Sequence, residues 1–153
     1  MTIDALLFAL AYQVPPWLLG ILLKLLIPHP TFRAIFVLPG TLVHELLHLL
    51  VGLIMNGKPV TISLWPRRVG QGQWILGAVG FANLRWYNAM FIGLAPLLAI
   101  LVAMLLAPSP LGWSPQMADF KYWAMATPIL AMCWPSSIDW KLALKSWPII
   151  GMA

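Results

Sequence analysis

His44-Glu45-Leu46-Leu47-His48 is the stretch of this chain whose residue types and spacing can do chemistry directly. Residues four apart on a helix share a face, so both imidazoles can reach one ion while Glu45 stands beside it. A zinc ion held there polarises a carbonyl and lowers the pKa of its water towards about 7, and Glu45 is the group to take that proton. The cofactor expected is therefore Zn2+, one ion per chain, although two imidazoles and a carboxylate also suit iron or manganese. The competing structural role is two histidines bonded to the backbone of other helices. It would leave Glu45 unpaired in an apolar span, which is costly.

Such a centre needs a third protein ligand. The metzincin continuation requires a glycine at position 51 and a histidine at position 54, where Val51 and Ile54 stand. Glu45 is the only glutamate, which leaves Asp139, His29, Cys133, Asp4 and Asp119. Asp139 is favoured, because it follows a proline-broken apolar stretch, Cys133-Trp134-Pro135-Ser136-Ser137-Ile138-Asp139-Trp140. A helix interrupted at membrane depth is tolerated where it lines a protein cavity. His48 also lies roughly 10 Å from the end of its span, on the face where Asp139 emerges. The other role open to Asp139 is an interfacial ion pair with Lys141 or Arg68. His29 is the next candidate ligand, Cys133 reads as a small buried residue, and Asp4 and Asp119 read as solvated charges.

The elements that carry these residues are set by composition. Of 153 residues, 61% are apolar and 8% charged, against about 25% charged in a soluble domain. Mean hydropathy is +0.88, so lipid is the solvent for most of the chain, and disorder, collagen and coiled coil are excluded. A single cysteine makes no internal disulfide. The +5 net charge is scattered rather than gathered in a patch, which suits anionic headgroups and excludes nucleic acid as a partner. Met1-Thr2-Ile3-Asp4 has an acid where a signal peptide has bases, and the apolar run continues past it, so the first segment is read as retained.

The pattern predicts an all-α polytopic membrane protein, a single membrane-embedded domain over 1–153. Its transmembrane segments fall at about 5–27, 34–55, 88–107 and 120–134. Pro15-Pro16 predicts a kink or two half-helices in the first. Residues 60–81 read instead as two short extended segments around a Gly-rich turn, a β-like hairpin at the membrane edge. Residues 138–150, with Trp140, Lys141, Lys145 and Trp147, read as an interfacial tail, and most of the nine tryptophans as an interfacial belt. If all four segments cross, Lys58, Arg67, Arg68, Arg85, Lys141 and Lys145 share a face opposite Lys24, Arg33 and Lys121. That balance places both termini in the cytoplasm.

With these residues in place, the sequence resembles the site-2-protease class of intramembrane zinc metalloproteases, most closely its short, divergent bacterial relatives. The resemblance runs from about Leu38 to Asp139. It implies His44 and His48 as zinc ligands, Glu45 as general base and Asp139 in the position of the family's aspartate ligand. Gly57-Lys58-Pro59-Val60, Ser63-Leu64 and Leu76-Gly77-Ala78-Val79 are similar to the extended segment that offers a strand to substrate in that family. Gly93-Leu94-Ala95-Pro96 looks like its Ala-Gly-Pro helix motif. Two departures stand out. The family's asparagine after Gly-Pro falls at Ala99, with Asn83 or Asn88 as substitute oxyanion donors. No glycine follows Asp139.

The function expected is hydrolysis of a peptide bond of a membrane-associated protein in the bacterial plasma membrane. Strand addition would hold the substrate extended, with Val60, Ile62, Leu64, Ile75 and Ala78 as substrate-binding residues. A zinc hydrolase of lipid amides or esters and an inactive metal-stabilised scaffold are the alternatives.

Overall fold

The computed structural model describes residues 3–65, 67–69, 73–108 and 116–146. The first two apolar stretches form long helices, α1 (Ile3–Leu26) of 24 residues and α2 (Pro30–Ile54) of 25 residues. At 1.5 Å per residue each is about 36–38 Å long, enough for a hydrocarbon core of about 30 Å. α1 is continuous through Pro15 and Pro16, so of the kink or two half-helices expected there, the two half-helices do not form. The two prolines remove only the bonds to the carbonyls of Ala11 and Tyr12, and the turns on either side keep the helix together. α2 opens with Pro30 at its first position, where the missing N–H costs nothing.

Among the described residues, these two are the helices long and apolar enough to cross a membrane. The expected four crossings are thereby corrected to two. The third stretch divides into α3 (Ala89–Gly93), a 3₁₀ turn (Ala95–Leu97) and α4 (Leu98–Leu106). Pro96 has no N–H to continue the α-helical ladder there. The fourth, α5 (Met117–Leu130), has 14 residues, roughly 21 Å. The tail folds as α6 (Ser137–Ala143) and a 3₁₀ turn at Leu144–Ser146. Its expected continuation over 147–150, with Trp147, lies outside the described residues.

The extended region contains four short strands rather than two. β1 (Pro59–Ser63) pairs antiparallel with β4 (Ala78–Phe81), setting Thr61 opposite Gly80 and Ser63 opposite Ala78. Between them, β2 (Arg67–Val69) pairs antiparallel with β3 (Gln73–Ile75). The Gly-rich turn at 70–72 lies outside the described residues. The reversal from α2 into β1 uses left-handed backbone at Asn56 and Lys58, with φ of 54° and 52°.

Small side chains set the core. Ala95, Ala99 and Ala103 pack with Leu47, Ala126, Leu130 and Cys133, so the alanine face of α4 lets its neighbours approach closely. The polarity is the inverse of a water-soluble domain. Leu7, Leu22, Leu25, Ile35, Leu53 and Leu105 face outward, while Gln13, Thr41, His44, Glu45, His48, Asn88, Asp119 and Asp139 are buried.

Asp119, expected as a solvated charge, is one of these buried groups. It caps α5 by accepting the Gln116 N–H at 2.7 Å, and it accepts the Tyr12 hydroxyl from α1. The Tyr122 hydroxyl lies 2.6 Å from both Gln13 Oε1 and the Ala103 carbonyl. Together these bonds tie α1, α4 and α5 at one end of the molecule.

Candidate metal centre

α2 and α6 bring His44, His48 and Asp139 together, with one ligand atom from each within 4.8 Å of the others. His44 Nε2 and His48 Nε2 are 3.2 Å apart. Asp139 Oδ2 lies 3.3 Å from His44 Nε2, and Oδ1 lies 3.1 Å from His48 Nε2. Each Nδ1 meets a backbone carbonyl, His44 that of Met132 at 2.8 Å and His48 that of Ile92 at 2.7 Å. A carbonyl only accepts, so Nδ1 carries the proton in both rings and each neutral ring turns its Nε2 lone pair inward. Two lone pairs and a carboxylate then face one point, an arrangement that repels unless a cation shares it. Ligand atoms around a tetrahedral ion with bonds of about 2.0–2.2 Å stand about 3.3–3.6 Å apart. The three groups could therefore hold a metal ion.

The local sequence explains how each partner is supplied. The Ile92 carbonyl would ordinarily accept the N–H of residue 96, but Pro96 has none, and the carbonyl is left for His48. The Met132 carbonyl follows the end of α5, where Pro135 lacks an N–H and the Ser136 N–H is turned to Asp139 Oδ2 at 2.7 Å. Ser136 and Asp139 form a reciprocal capping box that starts α6 and fixes the aspartate. Gly93 lets α6 sit against α3, since a Cβ there would stand 2.6 Å from the Asp139 carbonyl oxygen. The side chains facing the Asp139 carboxylate among the described residues are the two histidines rather than Lys141.

Glu45 is buried on α2, beside both ligands. Its side chain fits under Gly77, where a Cβ would fall 2.5 Å from Glu45 Cγ and 2.9 Å from its Oε1. All four residues line one cavity of about 800 Å³, walled by residues 75–81, by Thr41, by Ala131 and Met132 and by residues 134–136. Of the five residues expected to hold substrate, Ile75 and Ala78 line this cavity. Val60 and Ile62 lie on exposed β1, and Leu64 just beyond it.

Neither asparagine expected at the reacting centre reaches the cavity. Asn83 Nδ2 donates to the Asn56 carbonyl at 2.8 Å. Asn88 donates to the carbonyls of Met55 and Asn83 and accepts the Arg85 N–H. Both amides are spent on joining the end of α2 to the start of α3. His29 is exposed at the start of α2 against Phe32, and Cys133 is a buried thiol in the core.

No family model matches the chain, and neither a curated protein nor a solved structure matches it. The site is therefore defined by its own geometry. The partners that the sequence did not reveal are backbone groups, the Ile92 and Met132 carbonyls, together with Gly77 above Glu45. Their one visible signal is proline, since Pro96 and Pro135 mark the carbonyls that helix bonding leaves free.

Proposed function

We propose that this chain is a membrane-embedded zinc metallopeptidase that hydrolyses a peptide bond of a membrane-associated protein. The observation that carries this reading is the inward pairing of both Nε2 atoms with Asp139, beside Glu45 and inside a cavity walled by an extended strand. His44, His48 and Asp139 would hold the ion, which when bound supplies Lewis-acid polarisation and an acidified water.

The chain's own groups do the rest. Glu45 accepts a proton from water as its oxygen attacks the scissile carbonyl carbon. It returns that proton to the amine nitrogen as the C–N bond breaks. β4 uses one edge to pair β1, and its residues line the cavity. Strand addition there would hold the substrate extended and open its carbonyl to attack, which a helical substrate would shield. Met132 and residues 134–136, where helix gives way to turn, furnish polar backbone in the same wall.

The outward apolar faces of α1 and α2 support residence in a bilayer, and the resemblance stated above points to a bacterial plasma membrane. With two crossings, the N-terminal end and the strand region share a face. Lys58, Arg67 and Arg85 favour the cytoplasm for it.

The test is Glu45→Gln, which keeps volume but cannot act as base. On a quenched-fluorescent library of apolar single-span peptides, cleavage is expected to fall about 10²–10⁴-fold while zinc content stays unchanged. Equal cleavage by the two proteins would contradict the assignment of Glu45. Turnover of lipid amides or esters in place of peptides would move the chemistry to lipid.

A further inference from the structure

The cavity beside the metal-ligating cluster is also lined by Lys24, Lys141 and Lys145, cations that the hydrolytic chemistry leaves unused. Lys24 belongs to the last turn of α1. A lysine near the end of a membrane helix ordinarily extends outward to the headgroups. Lys24 instead turns inward, as helix side chains lean towards the N-terminus. Its ammonium lies 3.4 Å from Met132 Sδ, on the residue whose carbonyl orients His44.

A thioether is a weak acceptor for an ammonium ion. Among the described residues no lysine stands within ion-pair distance of a carboxylate, and Asp139 faces the two histidines instead. No described carboxylate therefore answers any of the three lysines. Asp139 is engaged by His44, His48 and Ser136, and Glu45 lies under Gly77. Lys141 and Lys145 are exposed at the cavity rim, whereas Lys24 is half-buried, and a cavity with such a cation unmatched from within is complementary to an anionic guest.

We propose that Lys24, supported by Lys141 and Lys145, binds an aspartate or glutamate side chain of the peptide substrate close to the scissile bond, displacing the Met132 thioether. This rests on the peptidase reading and names its substrate class, a segment bearing an acidic residue. A peptide is favoured over a lipid phosphate because β4, able to hold an extended chain, lines the same cavity.

The test uses two fluorescent apolar peptide hydroxamates, identical except for glutamate or glutamine at one position. Each is titrated by fluorescence polarisation against the zinc-loaded full chain in detergent. The hydroxamate engages the ion without turnover, so binding is read independently of cleavage. The glutamate peptide is expected to bind roughly ten-fold more tightly to the wild type. Lys24→Met should abolish that preference while leaving the glutamine peptide's affinity and the zinc content unchanged, and Lys24→Arg should retain it.

Equal affinities in the wild type, or a preference that survives Lys24→Met, would overturn the proposal while leaving the peptidase reading in place. Binding of neither peptide to zinc-loaded protein would overturn both. Lys24-dependent binding of phosphatidylglycerol vesicles, without discrimination between the peptides, would transfer the anion to lipid and overturn the peptide assignment.

Discussion

A neutral imidazole has one N–H and one lone pair, and whichever nitrogen holds the proton is lost as a ligand. In His44 and His48 the choice is made by two backbone carbonyls that helix geometry leaves free. The case at Ile92 can be tested by returning the missing donor. Pro96→Ala supplies an N–H four residues after Ile92, which competes with His48 for its carbonyl. Zinc affinity is expected to fall about ten-fold or more, measured by chelator competition. Unchanged affinity would show that the carbonyl is not what orients the ring. At this scale the three candidate ligands were legible, because i, i+4 spacing on a helix and a lone aspartate after a broken one are local patterns. Their backbone partners were not, since Met132 lies 88 residues from His44 and Ile92 lies 44 from His48. Asp119 was misread for the same reason, its Tyr12 partner being 107 residues away.

Among the elements, α2 carries two ligands and the proposed base, α6 carries the third ligand, and the junctions with α3 and α5 hold the two in register. The long helices were legible from their apolar length. The break at Leu94 and the shortness of α5 were not, because an apolar run does not state where its backbone ladder stops. The bond from Tyr12 to Asp119 joins α1 to α5 and carries a pH prediction. The Tyr12 hydroxyl, then the Gln116 N–H, hold the Asp119 carboxyl below its usual range. A carboxyl lowered on folding stabilises the fold fully above its unfolded pKa of about 3.9, and loses that contribution as pH falls through the lower folded value. The thermal midpoint in detergent should therefore drop for the wild type below about pH 4. Asp119→Asn and Tyr12→Phe should each flatten that dependence and be less stable at neutral pH. The same acid slope in all three proteins would show that the bond does not join the helices.

Taken whole, the molecule puts leucine and isoleucine outside and its buried carboxylates, histidines and amides inside. In water this would leave a large apolar surface exposed. In lipid it gives an apolar exterior around a polar cavity, where a hydrolytic centre would have water, an ion and a substrate strand in one place. The expectation of a membrane protein came directly from composition. The arrangement of its interior depended on prolines, glycines and a capping serine acting across the fold.

All of this depends on three side chains holding one ion. The most direct measurement is the metal content of detergent-purified wild type, His44→Ala and Asp139→Ala, each shown to be folded by its circular dichroism. About one zinc per chain in the wild type, with loss or sharp weakening in both variants, is the result expected from a donor set of three residues. Folded wild-type protein without metal, or zinc fully retained in Asp139→Ala, would contradict it.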